Sequence, residues 1–390
     1  MKKALKKLAS QLHLWLGISS GLVVFIVALT GSLLVFEDEL EPVIDRQFHI
    51  VEAHQGKQRL PLDQLQARVF ETYPGKKLVR ITIEKEPERT IVFGLKNGKK
   101  EKDILSVAVN PYTGNIAEAR VEQDAFFSVV LRLHRYLCLE ETGKIITGIS
   151  CVMFLIIMIT GLILWWPNRK NSKQRFTIKW NAKFKRLNWD LHAIFGFYVL
   201  PFVFLIAITG LVWSYKWVNN IIFMTFDGKP QQKREAPANV QPVPNQDNTL
   251  FQKIYAETNQ QLPHPGKILI TLSESDSLSV TVSKTNDNAA ISNIVDFLYF
   301  DKNNGQLIKK RLYAEETKGM KVRRLIYPIH TGSLLGLPTK IIAFLTALVA
   351  ATLPVTGIVI WLGKKSKSKK EIKPNVSGSI RTKRKPIIAG

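Results

Sequence analysis

Four of the seven histidines sit at the ends of apolar runs, in two matched pairs. His13 precedes Thr30-Gly31 by 17 and 18 residues, and His192 precedes Thr209-Gly210 by the same distances. His134 precedes Thr160-Gly161 by 26 and 27 residues, as His330 precedes Thr356-Gly357. The offsets, 179 residues for the first match and 196 for the second, indicate one unit occurring twice. Imidazole is a standard haem ligand, and two imidazoles turned toward each other form the axial set of a six-coordinate b-type haem. A flat ring also needs room. Gly17 and Gly196 supply it, each one helical turn beyond its histidine on the same face. His134 and His330 have Cys138 and Leu334 at that offset, so the His13/His192 site is the better marked of the two.

Each of these features also has a plainer explanation. A single histidine at a helix–water boundary is usually an interfacial side chain, and it is the recurrence in register that favours ligands. The Thr-Gly pairs read as helix-packing contacts. Trp15, Trp165, Trp166, Trp189, Trp213, Trp217 and Trp361 read as interfacial anchors. His49, His54 and His264 have no counterpart at the matching offset and read as surface residues. Lys144 and Lys340 mark the entry of the chain into the bilayer; with Arg132, Arg135, Arg323 and Arg324 they are also candidates for haem propionates.

The elements that must carry the histidines are long and apolar. Segments 14–36, 145–166, 193–215 and 341–362 hold no charged residue. With 22 or 23 residues each, they cross a hydrocarbon core of about 30 Å as helices. The formal charge of +24 is concentrated: segments 1–12, 168–188 and 363–390 hold 22 of the 55 basic residues and one of the 31 acidic ones. All three fall on one side of a four-span chain, so the positive-inside rule expects both termini and the central loop in the cytoplasm. Attraction to anionic lipid accounts for this charge better than nucleic acid does. The basic start followed by a long apolar stretch reads as an uncleaved first span. Cys138 and Cys151 are not spaced for zinc or a disulfide framework, and no C-x-x-C-H attaches a c-type haem.

Between the spans the pattern turns to short helices and alternating strands. "LPLDQLQARVFETYPGKKL" reads as a helix stopped by Pro74-Gly75, followed by "LVRITIEK", "RTIVFGL" and "ILSVAVNPYTGNIAEAR". "NTLFQKIYAETNQQLPHPG", "KILITLSE", "SLSVTVSK" and "IVDFLYFDKNNGQLIKKR" repeat that order, after a Pro- and Asn-rich linker at 235–248. The expected fold is an α-helical membrane protein with four transmembrane helices in two parallel repeats and two α+β periplasmic domains. Its divisions are an N-terminus and first span at 1–36, a first outer domain at 37–130, and a histidine segment and second span at 131–167. A basic loop follows at 168–188, the third span at 189–217, and a second outer domain with linker at 218–325. A histidine segment and fourth span at 326–362 and a basic tail at 363–390 complete the chain. Parallel repeats share a pseudo-axis along the membrane normal, which sets matched histidines at one depth.

"LHLWLG…LTG", "LHRYL…GKIITG…ITGLILWWP", "WDLHAIFGFYVLPF…ITGLVW" and "IHTGSLLGLP…TG" together resemble the PepSY-associated transmembrane family, over residues 8–363. The hairpins "VAVNPYTGNI" and "YFDKNNGQLI" are similar to the closing strands of PepSY domains. That family contains iron-regulated bacterial inner-membrane proteins, among them ferric-siderophore reductases. The resemblance implies two b-type haems, with His13, His192, His134 and His330 as the axial ligands of the haem irons.

The expectation that follows is an electron-transfer protein, a haem-dependent ferric-siderophore reductase that passes electrons from the cytoplasmic side to a periplasmic acceptor. No G-x-G-x-x-G follows a strand, so the donor is expected to be a separate reductase or a membrane quinol. Two rivals use the same residues differently. One is a transporter of iron or its siderophore; the other is a non-redox scaffold whose PepSY domains bind a partner.

Overall fold

The computed structural model describes residues 3–52, 58–98, 103–167, 175–232, 236–240, 248–273, 275 and 277–371. Much of the basic central loop, most of the linker and most of the basic tail therefore lie outside the described residues.

In chain order, the first half comprises α1 (Lys3–Leu34), α2 (Glu37–Ile44), α3 (Arg46–His49), α4 (Leu62–Thr72), β1 (Lys77–Ile83), β2 (Ile91–Lys96), β3 (Leu105–Val109), β4 (Ile116–Val121), α5 (Phe126–Tyr136) and α6 (Glu140–Trp165). The second comprises α7 (Phe184–Asp190), α8 (Gly196–Ser214), α9 (Lys216–Asp227), α10 (Leu250–Gln261), β5 (Ile268–Thr271), β6 (Val280–Thr285), β7 (Val295–Phe300), β8 (Leu307–Arg311), α11 (Lys318–Thr331) and α12 (Leu337–Glu371). A π-helical turn, Leu191–Phe195, joins α7 to α8.

Four helices are long and apolar enough to cross a membrane: Lys3–Leu34, Glu140–Trp165, Phe184–Ser214 and Leu337–Gly363. A helix satisfies its own backbone polar groups, which a hydrocarbon environment demands. Leu22, Ile145, Ile159, Leu205 and Leu345 all point out of the bundle, as lipid-facing residues do. Both α1 and α8 pack against α6 and α12, so α1 and α8 occupy opposite corners of the bundle. α5 packs on α1, and α11 on α8.

The two stretches between spans contribute four strands each to one continuous antiparallel sheet, ordered β4-β3-β2-β1-β5-β6-β7-β8. The halves meet where Arg80 to Ile83 pair with Thr271 to Ile268. Alternation puts Ile81, Phe93, Leu95, Val107, Ile270, Val282, Leu298 and Phe300 on one face, where they form a single core with Leu65 and Val69 of α4 and Phe251 and Ile254 of α10. The two helices cap each other. Asp63 accepts from the amides of Phe251 (3.0 Å) and Gln252 (2.9 Å), while Gln252 Oε1 accepts from the Leu62 amide (3.1 Å). Two sequence patterns thus share one hydrophobic core.

Candidate functional site

Each of the four matched histidines comes from a different element. His13 lies in α1, His134 near the end of α5, His192 in the π turn before α8, and His330 near the end of α11. A π turn inserts an extra residue into the helical register and so re-aims a side chain, a device common at functional sites. The structure brings the histidines together as the sequence spacing expects. The rings of His13 and His192 lie 6.2 Å apart between centroids at 87°, and those of His134 and His330 6.2 Å apart at 69°. Along α1, the eighteen residues from the His13 level to Gly31, against which His134 rests, rise about 27 Å. The two pairs therefore stand near opposite ends of the bundle.

The Thr-Gly pairs do more than pack helices. His13 Nδ1 lies 3.1 Å from the Ile157 carbonyl and 3.2 Å from Thr160 Oγ1. His134 Nδ1 lies 2.9 Å from the Val27 carbonyl and 3.2 Å from Thr30 Oγ1. His330 Nδ1 lies 2.9 Å from the Ile206 carbonyl and 3.0 Å from Thr209 Oγ1. His192 Nδ1 lies 2.9 Å from Thr356 Oγ1, with the Leu353 carbonyl as a further partner. The carbonyl is always three residues before the threonine.

These partners fix the tautomer. A carbonyl only accepts. Each threonine hydroxyl already donates to its own helix, to the carbonyls of Ile26, Ile156, Leu205 and Thr352 at 2.7–3.0 Å. The proton is therefore on Nδ1, and Nε2 keeps its lone pair. Among the described residues no hydrogen bond reaches Nε2 of any of the four.

The glycine makes room for this contact. The carbonyl four residues before it already accepts the helical bond, and the missing Cβ leaves its second lone pair accessible. A Cβ built at Gly31 would stand 3.0 Å from His134 Cε1; at Gly161, 3.1 Å from His13; at Gly210, 3.2 Å from His330; and at Gly357, 3.4 Å from His192. Within each half the two spans exchange these services, each holding the other's histidine. The sequence showed the recurring spacing but not this contact, because a small residue facing a helix and one facing an imidazole look alike.

The histidine pairs fit a haem iron. A first-row metal binds imidazole nitrogen at about 2.0–2.1 Å, and the ring centroid lies about 1.15 Å behind the nitrogen, so two imidazoles on opposite sides of one metal would stand about 6.3–6.5 Å apart between centroids. Both observed spacings match, and the Nδ1 partners are of the kind that orient metal-bound histidines. A Cβ on Gly17 would meet nothing within 4 Å, whereas at Gly196 it would meet the Leu353 methyls at 3.6 and 3.8 Å, an ordinary contact. Between the two levels the packing is apolar: Met158, Val203 and Ala350 with Phe154, Leu155, Leu200 and Phe204.

Other expected residues take different roles. Trp165 is buried and stacks on Phe197, ring centroids 3.6 Å apart, and Trp213 lies edge-on to His330 at 5.1 Å. Lys340 is buried and pairs with Glu39 at 2.8 Å. His49 and His264 are mostly buried rather than on the surface: His49 faces Glu41 at 3.5 Å and His264 faces Asp296 at 3.2 Å. Burial is accessible to these histidines because a carboxylate offsets the lost hydration. His54 lies outside the described residues. Glu41, Asp45 and His49 come close enough to hold a metal ion, but the Arg120 guanidinium pairs with both carboxylates and fills the cation's role.

The family model described as the PepSY-associated TM region matches residues 10–364, which include all four histidines and all four Thr-Gly pairs. No curated protein matches the chain.

Proposed function

Because the chain belongs to the PepSY-associated TM family, we propose that it is a haem-containing electron-transfer protein of the bacterial inner membrane that reduces a ferric siderophore on the periplasmic face. The observation that carries this reading is the double histidine arrangement, two pairs at 6.2 Å with every Nδ1 bonded and every Nε2 bare. A b-type haem at each pair would supply one-electron redox chemistry, and bis-imidazole ligation, which fills both axial positions, suits electron transfer rather than oxygen binding.

The chain's own residues perform the rest. His13 and His192 would hold one iron and His134 and His330 the other, and the threonines and carbonyls keep each ring in the tautomer that leaves Nε2 free to ligate. Gly17 leaves space beside the first pair. The apolar middle, with Phe154 and Phe204, excludes water and ions from the interval between levels. A metal or siderophore transporter needs polar groups there, so this packing favours electrons over ions as the transported species. In the proposed orientation both termini are cytoplasmic. The donor is a separate reductase or quinol.

The test is an optical spectrum of the purified full-length protein. Low-spin b-type bands are expected on reduction, with roughly half the haem lost in His13→Ala and in His134→Ala, as two independent bis-histidine sites imply. A colourless preparation that also fails to take up added haemin refutes the reading.

A further inference from the structure

The two halves of the chain differ most in charge around the sheet-side ends of α1 and α8. A cavity of about 410 Å³ opens beside α8, lined by Trp213, Lys216, Asn219, Arg311, Arg323 and Arg324 among others, with four basic residues and no carboxylate in its lining. Its volume lies within the range of small-molecule sites, roughly 300–1,000 Å³. Trp213 joins it to the histidines, with its ring 5.1 Å from that of His330 and the Arg323 guanidinium 5.3 Å from its face. Arg323 Nε donates to Asn219 at 2.8 Å, and Arg311 pairs with Glu316 at 3.3 Å and with Tyr299 Oη at 2.8 Å.

The matched positions of the first half do not carry this charge, although α5 has its own arginines at Arg132 and Arg135. At the offset of 179 residues Lys216 corresponds to Glu37 and Trp213 to Leu34; at 196 residues Arg323 and Arg324 correspond to Phe127 and Ser128. Arg120 stands on β4 as Arg311 stands on β8; Arg120 meets two carboxylates, Asp45 and Glu41, where Arg311 meets one, Glu316. At these matched positions the basic lining is a feature of the second half.

We propose that this cavity docks a polyanionic ferric chelate, of the tricatecholate or polycarboxylate class, against Trp213 and beside His330. The proposal rests on the electron-transfer reading for its purpose and deepens it by naming the charge of the acceptor and the half of the protein that takes it. Guanidinium groups bind carboxylate and catecholate oxygens in planar, bidentate fashion, and clustered cations in a low-dielectric cleft focus the field on an incoming anion. Burial and the neighbouring Arg324 lower the affinity of Arg323 for its proton, a sign of crowded positive charge that an anion relieves.

The test uses gallium chelates, which occupy the ferric site but do not accept the electron, with the full-length protein in nanodiscs and calorimetry as the readout. Trianionic gallium tricatecholate is expected to bind at least about tenfold more tightly than an uncharged gallium trihydroxamate, with the preference falling as salt rises. The double variant Arg323→Gln/Arg324→Gln is expected to lose that preference. Lys216→Gln, at an exposed position that folding tolerates, is expected to weaken it several-fold. Equal binding of the two chelates, or unchanged binding by the variants, overturns the proposal. So does a double variant that loses haem absorbance while its chelate binding is unaltered, because its arginines would then serve the cofactor's own carboxylates. A protein that lacks haem yet keeps the tricatecholate preference supports the docking site and counts against electron transfer, so the two readings fail separately.

Discussion

Replacing the four Thr-Gly glycines by alanine, one at a time, should produce a graded loss of haem affinity. The added Cβ would lie 3.0 Å from the imidazole at position 31, 3.1 Å at 161, 3.2 Å at 210 and 3.4 Å at 357. Carbon atoms prefer about 3.5–4.0 Å, so Gly31→Ala forces His134 back by about half an ångström, while Gly357→Ala barely touches His192. Half an ångström is about the tolerance of a preorganised ligand set. Overpacking at such a point costs about 1–3 kcal/mol, or a loss of about five- to 150-fold in affinity at the affected site. Alanine also improves helix propensity by up to about 1 kcal/mol, so a loss of haem is not explained by a weaker helix. The assay is titration of haemin into haem-free protein, following the Soret band. Expected is the order Gly31, Gly161, Gly210, Gly357 from most to least damaging, with the last near wild type. Equal affinities across the series, or the reverse order, would refute the claim that these glycines exist to seat imidazoles.

Two further outcomes follow from the sheet side of the molecule. Burial, with Glu41 and Asp38 nearby, raises the Glu37 carboxyl to about 7. The folded state therefore holds a proton that the unfolded state has released, and stability declines as pH rises from the ordinary carboxyl range through about 7. Glu37→Gln should melt higher than wild type at pH 8 and close to it at pH 5; a melting difference independent of pH contradicts this. Asp63→Ala removes the acceptor for the Phe251 and Gln252 amides and should cost about 1–2 kcal/mol. Hydrogen exchange reads it directly, and unchanged protection of those two amides would show that the cap contributes nothing.

Hydropathy alone revealed the four spans, because twenty-odd uncharged residues have few other uses in a folded protein. The histidine pairing was legible from recurrence, since residues repeated at a constant offset are expected at matching places, and the rings of each matched pair do meet at 6.2 Å. Strand alternation marked β1 and β5 individually but not their partnership. Ile81 and Ile270 pair across nearly half the chain, and a period of two says which face a residue occupies, never which strand lies beside it. The mutual capping of α4 and α10 was hidden for the same reason: Asp63 and Gln252 look like ordinary helix-surface residues until the two N-termini meet. The burial of His49 and His264 is not legible in the sequence, because their carboxylate partners, Glu41 and Asp296, come close only in the fold.

The exchange of histidines between spans ties the placing of the imidazoles to helix packing. His13 of α1 rests on α6, and His134, just ahead of α6, rests on α1. α8, α11 and α12 are linked in the same way through His192 and His330. Sliding one span past its partner by a single residue, about 1.5 Å, would break both of that half's Nδ1 contacts at once. Each half is therefore a rigid frame presenting two imidazoles at a fixed spacing along the helix axis, and the bundle has only to place two frames face to face. Between the histidine levels the halves meet through apolar packing, where Met158, Val203 and Ala350 come together.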